Sequence, residues 1–144
     1  MRQIVILVFA TIMLAPIAAN SHPIEINIKG IRNFKGIVRI GIFKDNESFE
    51  KEAPFKTVEL GKKGLLNGNL RCKVNLPEGV YGFAVLDDEN ENEEMDKNFF
   101  GIPKEGFGFS NYEHSGIFAP IFNDFKFRVK KGIINKIKVK MKYM

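Results

Sequence analysis

The sequence predicts an all-β fold, a single antiparallel β-sandwich of about seven strands with one long loop. Three observations predict it. Apolar residues recur with a period of two in one run after another, and Gly, Pro and Asn punctuate the runs. No stretch keeps a helical period over a useful length, residues 45–53 suggesting at most a short helical turn.

In residues 24–29, Ile24, Ile26 and Ile28 share one face while Glu25, Asn27 and Lys29 share the other. Val38, Ile40 and Ile42 repeat the pattern around Arg39 and Gly41, and Leu70, Cys72, Val74 and Leu76 repeat it around Arg71, Lys73 and Asn75. Phe125, Phe127 and Val129 alternate with Lys126, Arg128 and Lys130. Ile137, Val139, Met141 and Tyr143 alternate with Lys136, Lys138, Lys140 and Lys142. One-sided alternation is expected of antiparallel strands with one packed and one wet face. Residues 80–86 are apolar on both parities, which predicts a central strand covered on both sides. Turn signals fall at residues 30–36, 61–68, 77–79 and 130–132.

The chain opens with Arg2, an apolar run over residues 4–14, and then the small residues Ala15, Ala18, Ala19 and Ser21. This is the pattern of a secretory signal peptide over residues 1–21, with Ala19 or Ser21 last before cleavage. The run is shorter than the roughly 20 residues that span a bilayer. No second long apolar run follows, so no transmembrane span is expected after cleavage. Residues 22–144 then form one domain, secreted or periplasmic, large enough to bury about two-thirds of its unfolded surface. Cys72 is the only cysteine, which excludes an intramolecular disulfide, and it is expected as a small buried hydrophobe.

One region breaks the pattern. Residues 87–123 contain no alternating run, and loops longer than about 12–15 residues are usually functional or ordered by something else. The segment begins with seven carboxylic acids in ten residues, 87–96, inside a chain of net charge +5. Such a density of like charge costs free energy unless water or a cation relieves it. Asp88, Asn90, Asn92 and Asp96 fall at positions 1, 3, 5 and 9 of an oxygen-ligand loop, with a Glu94 carbonyl available at the seventh. Calcium is the cation this spacing suits. Glu93 at the sixth position and Phe99 at the twelfth exclude an EF-hand and place the affinity near that of weak extracellular modules, about 10⁻⁴ to 10⁻³ M. The competing reading is a solvated acidic hairpin tip.

The loop continues with Phe99, Phe100, Phe107 and Phe109 among Gly101, Gly106, Gly108 and Pro103. These aromatics suit either a platform for a sugar, lipid or peptide, or a plug that holds the loop down on one end of the sandwich.

Three stretches together carry a family resemblance: Leu76-Pro77-Glu78-Gly79-Val80-Tyr81, the acidic loop from Asp88 to Asp96, and Phe100-Gly101-Ile102-Pro103-Lys104-Glu105-Gly106-Phe107-Gly108-Phe109-Ser110-Asn111. The combination resembles a bacterial family of secreted proteins of unknown function, domain-of-unknown-function family 2141. The resemblance covers nearly all of residues 22–144 and implies a prealbumin-like or immunoglobulin-like sandwich in the cell envelope or outside the cell. It carries no activity. Asp87 stands where the family usually has histidine, and Glu93 replaces a loop glycine.

Lys126, Arg128, Lys130, Lys136, Lys138, Lys140 and Lys142 are expected on one outward face, as an anion-binding row or as protection of a sheet edge. Nucleic acid is not an expected partner of a secreted chain. Ser110 and His114 lack a nucleophile elbow, and one thiol with two distant histidines makes no standard zinc site. The expectation is therefore a binding or structural module of the envelope or exterior, not an enzyme, with a partner of unknown identity and calcium as the cofactor. The alternatives are a small hydrolase using Asp88, Asp96 or Glu105, and a structural domain without ligand.

Overall fold

The computed structural model describes residues 20–144. The leader expected over residues 1–21 lies outside the described residues except for Asn20 and Ser21, and Ser21 is already paired with Pro77 in the first strand. Eight strands form two sheets. The smaller contains β1 (Ser21–Lys29) between β4 (Asn69–Pro77) and β8 (Asn135–Lys140). The larger runs β3 (Lys56–Gly61), β2 (Ile37–Phe43), β5 (Gly79–Asp88), with the far side of β5 shared by two short strands. β6 (Gly106–Phe109) pairs with the second half of β5, and β7 (Lys126–Val129) with the first half.

The alternating residues do what their period requires. Ile24, Ile26 and Ile28 from β1 meet Val38, Ile40 and Ile42 from β2, all at most 1% exposed, between the sheets. β5 is covered on both sides as expected. Tyr81, Phe83 and Val85 face the inter-sheet core, while Val80 and Ala84 face a second cluster on the outer surface of the larger sheet. Each fully buried aliphatic or aromatic side chain stabilises by about 1.5–3 kcal/mol, so the sheets are held by these two stripes. Cys72 is only partly buried against the core, and that burial pushes its thiol up to about 11.

Several elements differ from the sequence reading. There are eight strands rather than seven, and β1 and β8 run parallel, the one exception to antiparallel pairing among the named strands. The connection from β7 crosses between sheets and delivers β8 alongside β1 in the same direction. β3 offers only Val58 and Leu60 as inward residues, too short a run to stand out. Phe125 does not continue the Phe127–Val129 face. It closes a helical turn, α2 (Phe122–Phe125), which rotates its ring into the outer cluster. The expected helical turn is α1 (Asn46–Glu50), capped by Asp45, whose Oδ1 accepts from the Ser48 amide at 2.7 Å. Phe49 of α1 packs edge-on against Phe43, Phe109 and Phe125, and Asn46 Oδ1 accepts from the Phe122 amide at 3.0 Å. The two short helices thus lock one another over the outer cluster.

The crossover also divides the basic row. Lys126 and Arg128 alternate with Phe127 and Val129 and point outward from the larger sheet. Lys136, Lys138 and Lys140 alternate with Ile137 and Val139 and point outward from the smaller one. The single cationic face expected from Lys126, Arg128, Lys130, Lys136, Lys138, Lys140 and Lys142 is therefore two faces on opposite sides of the sandwich. Lys140 pairs with Glu113 at 2.9 Å, and Lys142 Nζ donates to the Gly116 carbonyl at 3.4 Å. Among the described residues no helix is long and apolar enough to cross a membrane.

Candidate functional site: the acidic loop and the groove beside it

β5 ends in two consecutive carboxylates that its pleat sends in opposite directions. Asp87 continues the inward parity of Tyr81, Phe83 and Val85, so it lies at the end of the inter-sheet core and is fully buried. A buried charge needs a partner. Lys62, itself 4% exposed, supplies one at 2.5 Å and also donates to the Lys35 carbonyl. The Tyr143 hydroxyl donates to the other Asp87 oxygen at 2.6 Å and accepts from the Arg32 amide at 3.2 Å. Burial, reinforced by Asp87, pushes the Tyr143 phenol well above its ordinary value. Asp87 is thus one pole of an internal ion pair.

Asp88 points the other way and roots the loop. Its Oδ2 accepts from Arg39 Nε at 2.6 Å and from the Glu93 amide at 3.0 Å, while Oδ1 accepts from the Asn92 amide at 3.1 Å. Burial alone would raise the Asp88 carboxyl, but Arg39 and the two amides outweigh it and hold it below its ordinary value. Arg39 also reaches Glu59, its register partner on β3, at 2.5 Å. Glu89 is held by both nitrogens of the Arg32 fork, at 2.6 and 3.1 Å, and by Asn33 at 3.0 Å. The hydrogen bond from Arg32 lowers the Glu89 carboxyl despite partial burial.

Glu105 closes the loop from the other end. Its carboxylate, 4% exposed, accepts from the Glu89 amide at 2.9 Å and from the Asp96 amide at 3.3 Å. The Lys104 amide donates to the Asp96 carbonyl at 2.8 Å. Asn98 then caps a tight turn by accepting from the Phe100 and Ile102 amides, which leaves Phe99 97% and Phe100 82% exposed at the tip.

Among the expected cation ligands, the structure brings Asn90, Asn92 and Asp96 together: the side-chain amides of Asn90 and Asn92 reach the two Asp96 oxygens at 2.6 and 3.0 Å. Asp88 is turned toward Arg39, and the Glu94 side chain lines the neighbouring groove. Among the described residues no group of three His, Cys, Asp or Glu side chains is placed to hold a metal ion. Of the acids considered for hydrolysis, Asp88 and Glu105 are buried and engaged with donors, and Asp96 receives the two asparagine amides. Ser110 is structural. It is fully buried, accepts from the Phe83 amide at 2.9 Å and donates to the Phe125 carbonyl at 2.6 Å.

The four expected aromatics part company. Phe107 and Phe109 lie in β6 and pack into the outer cluster, whereas Phe99 and Phe100 project into solvent. Beside the cluster the larger sheet carries an open groove of about 720 Å³. Gly41 and Ala84 are among its small sheet residues, Phe43, Phe49, Phe107 and Phe109 give it aromatic surface, and loop residues Glu93, Glu94, Ile117 and Phe118 border it. Sequence reasoning missed this groove along with Arg32, Arg39, Lys62 and Tyr143. One signal was present: Asp87 sits on an inward parity, where a charge demands a buried partner.

No curated protein and no solved structure matches the chain. Residues 26–136 match the bacterial family described as an uncharacterized protein conserved in bacteria (DUF2141), and this chain, an all-β sandwich with a pinned acidic loop, belongs to that family.

Proposed function

We propose that the chain is a secreted or periplasmic binding module without catalytic activity, and that its ligand lies in the groove on the outer face of the larger sheet. One observation carries this reading: a concave, aromatic-walled space of about 720 Å³ beside a loop stapled at both ends. Small-molecule sites are mostly apolar clefts of roughly 300–1,000 Å³. Ala84 lines that space from the sheet, so enlarging its side chain, with an unchanged circular dichroism spectrum, is the direct test. Nile red, a neutral solvatochromic dye, should brighten with the wild-type protein and fail to do so with Ala84→Trp. Equal brightening with both would remove the groove as the site.

Calcium is a second reading, and it rests on the meeting of Asn90, Asn92 and Asp96. Rotating the two side-chain amides would turn their oxygens, beside the Asp96 carboxylate, toward one point. Asp88 would then support the loop through Arg39 and the backbone, and the Glu94 carbonyl would complete the set. Calcium at ten times its dissociation constant should stabilise by about 1.4 kcal/mol, a shift of roughly 4–8 °C at this size. Circular dichroism melts in millimolar calcium and in chelator measure it. Superimposable melts would end this reading.

A further inference from the structure

We infer that the groove selects an organic cation, a ligand with an apolar body and an amine or quaternary ammonium head. This rests on the groove being the binding site. Two features of its lining point to that class. The first is charge. Glu52, Glu93 and Glu94 line the groove against Arg39 and Lys97. The Arg39 charge is already taken up by Asp88 and Glu59, at 2.6 and 2.5 Å. Among the described residues Glu52 and Glu94 have no cationic partner within 4.0 Å. Lys97 is likewise without an acidic partner within 4.0 Å among the described residues, so the two unpaired carboxylates outnumber the one unpaired cation in the groove of an otherwise basic protein, net +5.

The second feature is the aromatic surface. Phe43, Phe49, Phe107 and Phe109 line the same space, with the partly buried Phe49 and Phe107 more open to it than Phe43 and Phe109, which are 6% and 7% exposed. Rings attract cations through their quadrupoles while offering apolar area to the ligand's body. Carboxylates and aromatic faces together reward a positive head on an apolar body. A neutral ligand gains only from the walls, and an anion meets Glu52 and Glu94. The same charges argue against an anionic membrane surface as the occupant, although Phe99, Phe100, Ile117 and Phe118 are exposed nearby.

The test uses three ligands with one tail: octyltrimethylammonium, octyl glucoside and octanoate. Each is kept below its micellar concentration and titrated calorimetrically at low salt. The cation should bind at least about tenfold tighter than the other two. Glu52→Gln/Glu94→Gln should lose that preference and keep its affinity for octyl glucoside, with an unchanged circular dichroism spectrum. Equal binding of all three by the wild type overturns the cation inference and leaves the groove standing. Binding of none, or binding that survives Ala84→Trp undiminished, overturns the groove reading as well.

Discussion

Glu105 is where the loop is most exposed to attack by mutation. Its carboxylate reaches across two sequence separations, to the amides of Glu89 and Asp96, from an environment that water hardly enters. A hydrogen bond to a charged group contributes about 1.5–3 kcal/mol. The 2.9 Å bond falls within the usual range, while the 3.3 Å bond is just beyond it and belongs at the weak end. Glu105→Ala loses both and leaves the Glu89 amide without its acceptor, so it should cost about 3–4 kcal/mol. Glu105→Gln keeps the shape and one acceptor but turns an NH₂ group toward the Asp96 amide, and should cost about 1.5–2.5 kcal/mol. Against a domain stability of about 5–15 kcal/mol, both variants should still fold. Urea denaturation gives the free energies. Hydrogen exchange then localises the effect, with the Glu89 and Asp96 amides exchanging about 100-fold faster in the Ala variant while β1 and β2 amides change only with global stability. If both variants lie within about 0.5 kcal/mol of wild type and those amides keep their protection, Glu105 does not staple the loop.

Gly36 has φ +63°, and an added Cβ would lie 2.0 Å from the Asp88 carbonyl oxygen. Gly36→Ala should therefore cost about 2–4 kcal/mol in chemical denaturation, whereas Gly61→Ala, with no atom within 4 Å of the new carbon, should stay within about 0.5 kcal/mol. Glu93 holds a left-handed φ of +70°, a conformation that favours glycine. Glu93→Gly relieves about 1–2 kcal/mol of strain against about 0.5–1 kcal/mol of added chain entropy, so the thermal midpoint should rise, and a fall would show that the contact with Arg39 matters more. Asp88 and Glu89 both have folded values below their ordinary 3.8 and 4.5. Their pairing therefore stabilises fully above those values and is lost as pH falls through the lower, folded ones. Stability measured from pH 6 down to about pH 2 should drop in that window, and Asp88→Asn should lower the plateau and flatten the acid limb; an unaltered acid limb would contradict the assignment.

Much of the sandwich was legible because period-two alternation reports burial directly. Ile24 to Ile28 and Val38 to Ile42 need no more than the pleat to find their face. β6 was not legible. In Gly106-Phe107-Gly108-Phe109 the inward positions are glycines, since an added Cβ would meet Tyr143 at Gly106 and Val139 at Gly108 within 2.6 Å. The apolar signal therefore sits on the outward face and reads as loop. The basic row misled for a related reason. Alternation fixes which side of its own sheet a lysine occupies, but not which sheet its strand joins, and β7 and β8 join different ones. The loop's partners, Arg32, Arg39 and Lys62, come from residues 25–57 positions away in the chain, and no local pattern encodes such pairings.

The acidic run poses an electrostatic question that the structure answers by division rather than by one counter-ion. Asp87, Asp88 and Glu89 turn toward Lys62, Arg39 and Arg32, each within 2.6 Å of a cation. Glu91 and Glu94 stay at the surface, where water screens them. Each inner acid therefore has a cation fixed on the scaffold, with Arg39 shared among Asp88, Glu59 and Glu93. Removing one of those cations should disorder the loop more than removing an outer acid would relax it, because an unpaired buried carboxylate costs far more than an exposed one gains from lost repulsion. Of these outer acids, Glu94 lines the groove. On this division, a cation at Asp96 would add order to a loop already fixed at both ends, and the charge presented to a ligand would come from Glu52 and Glu94 whether or not that cation is bound.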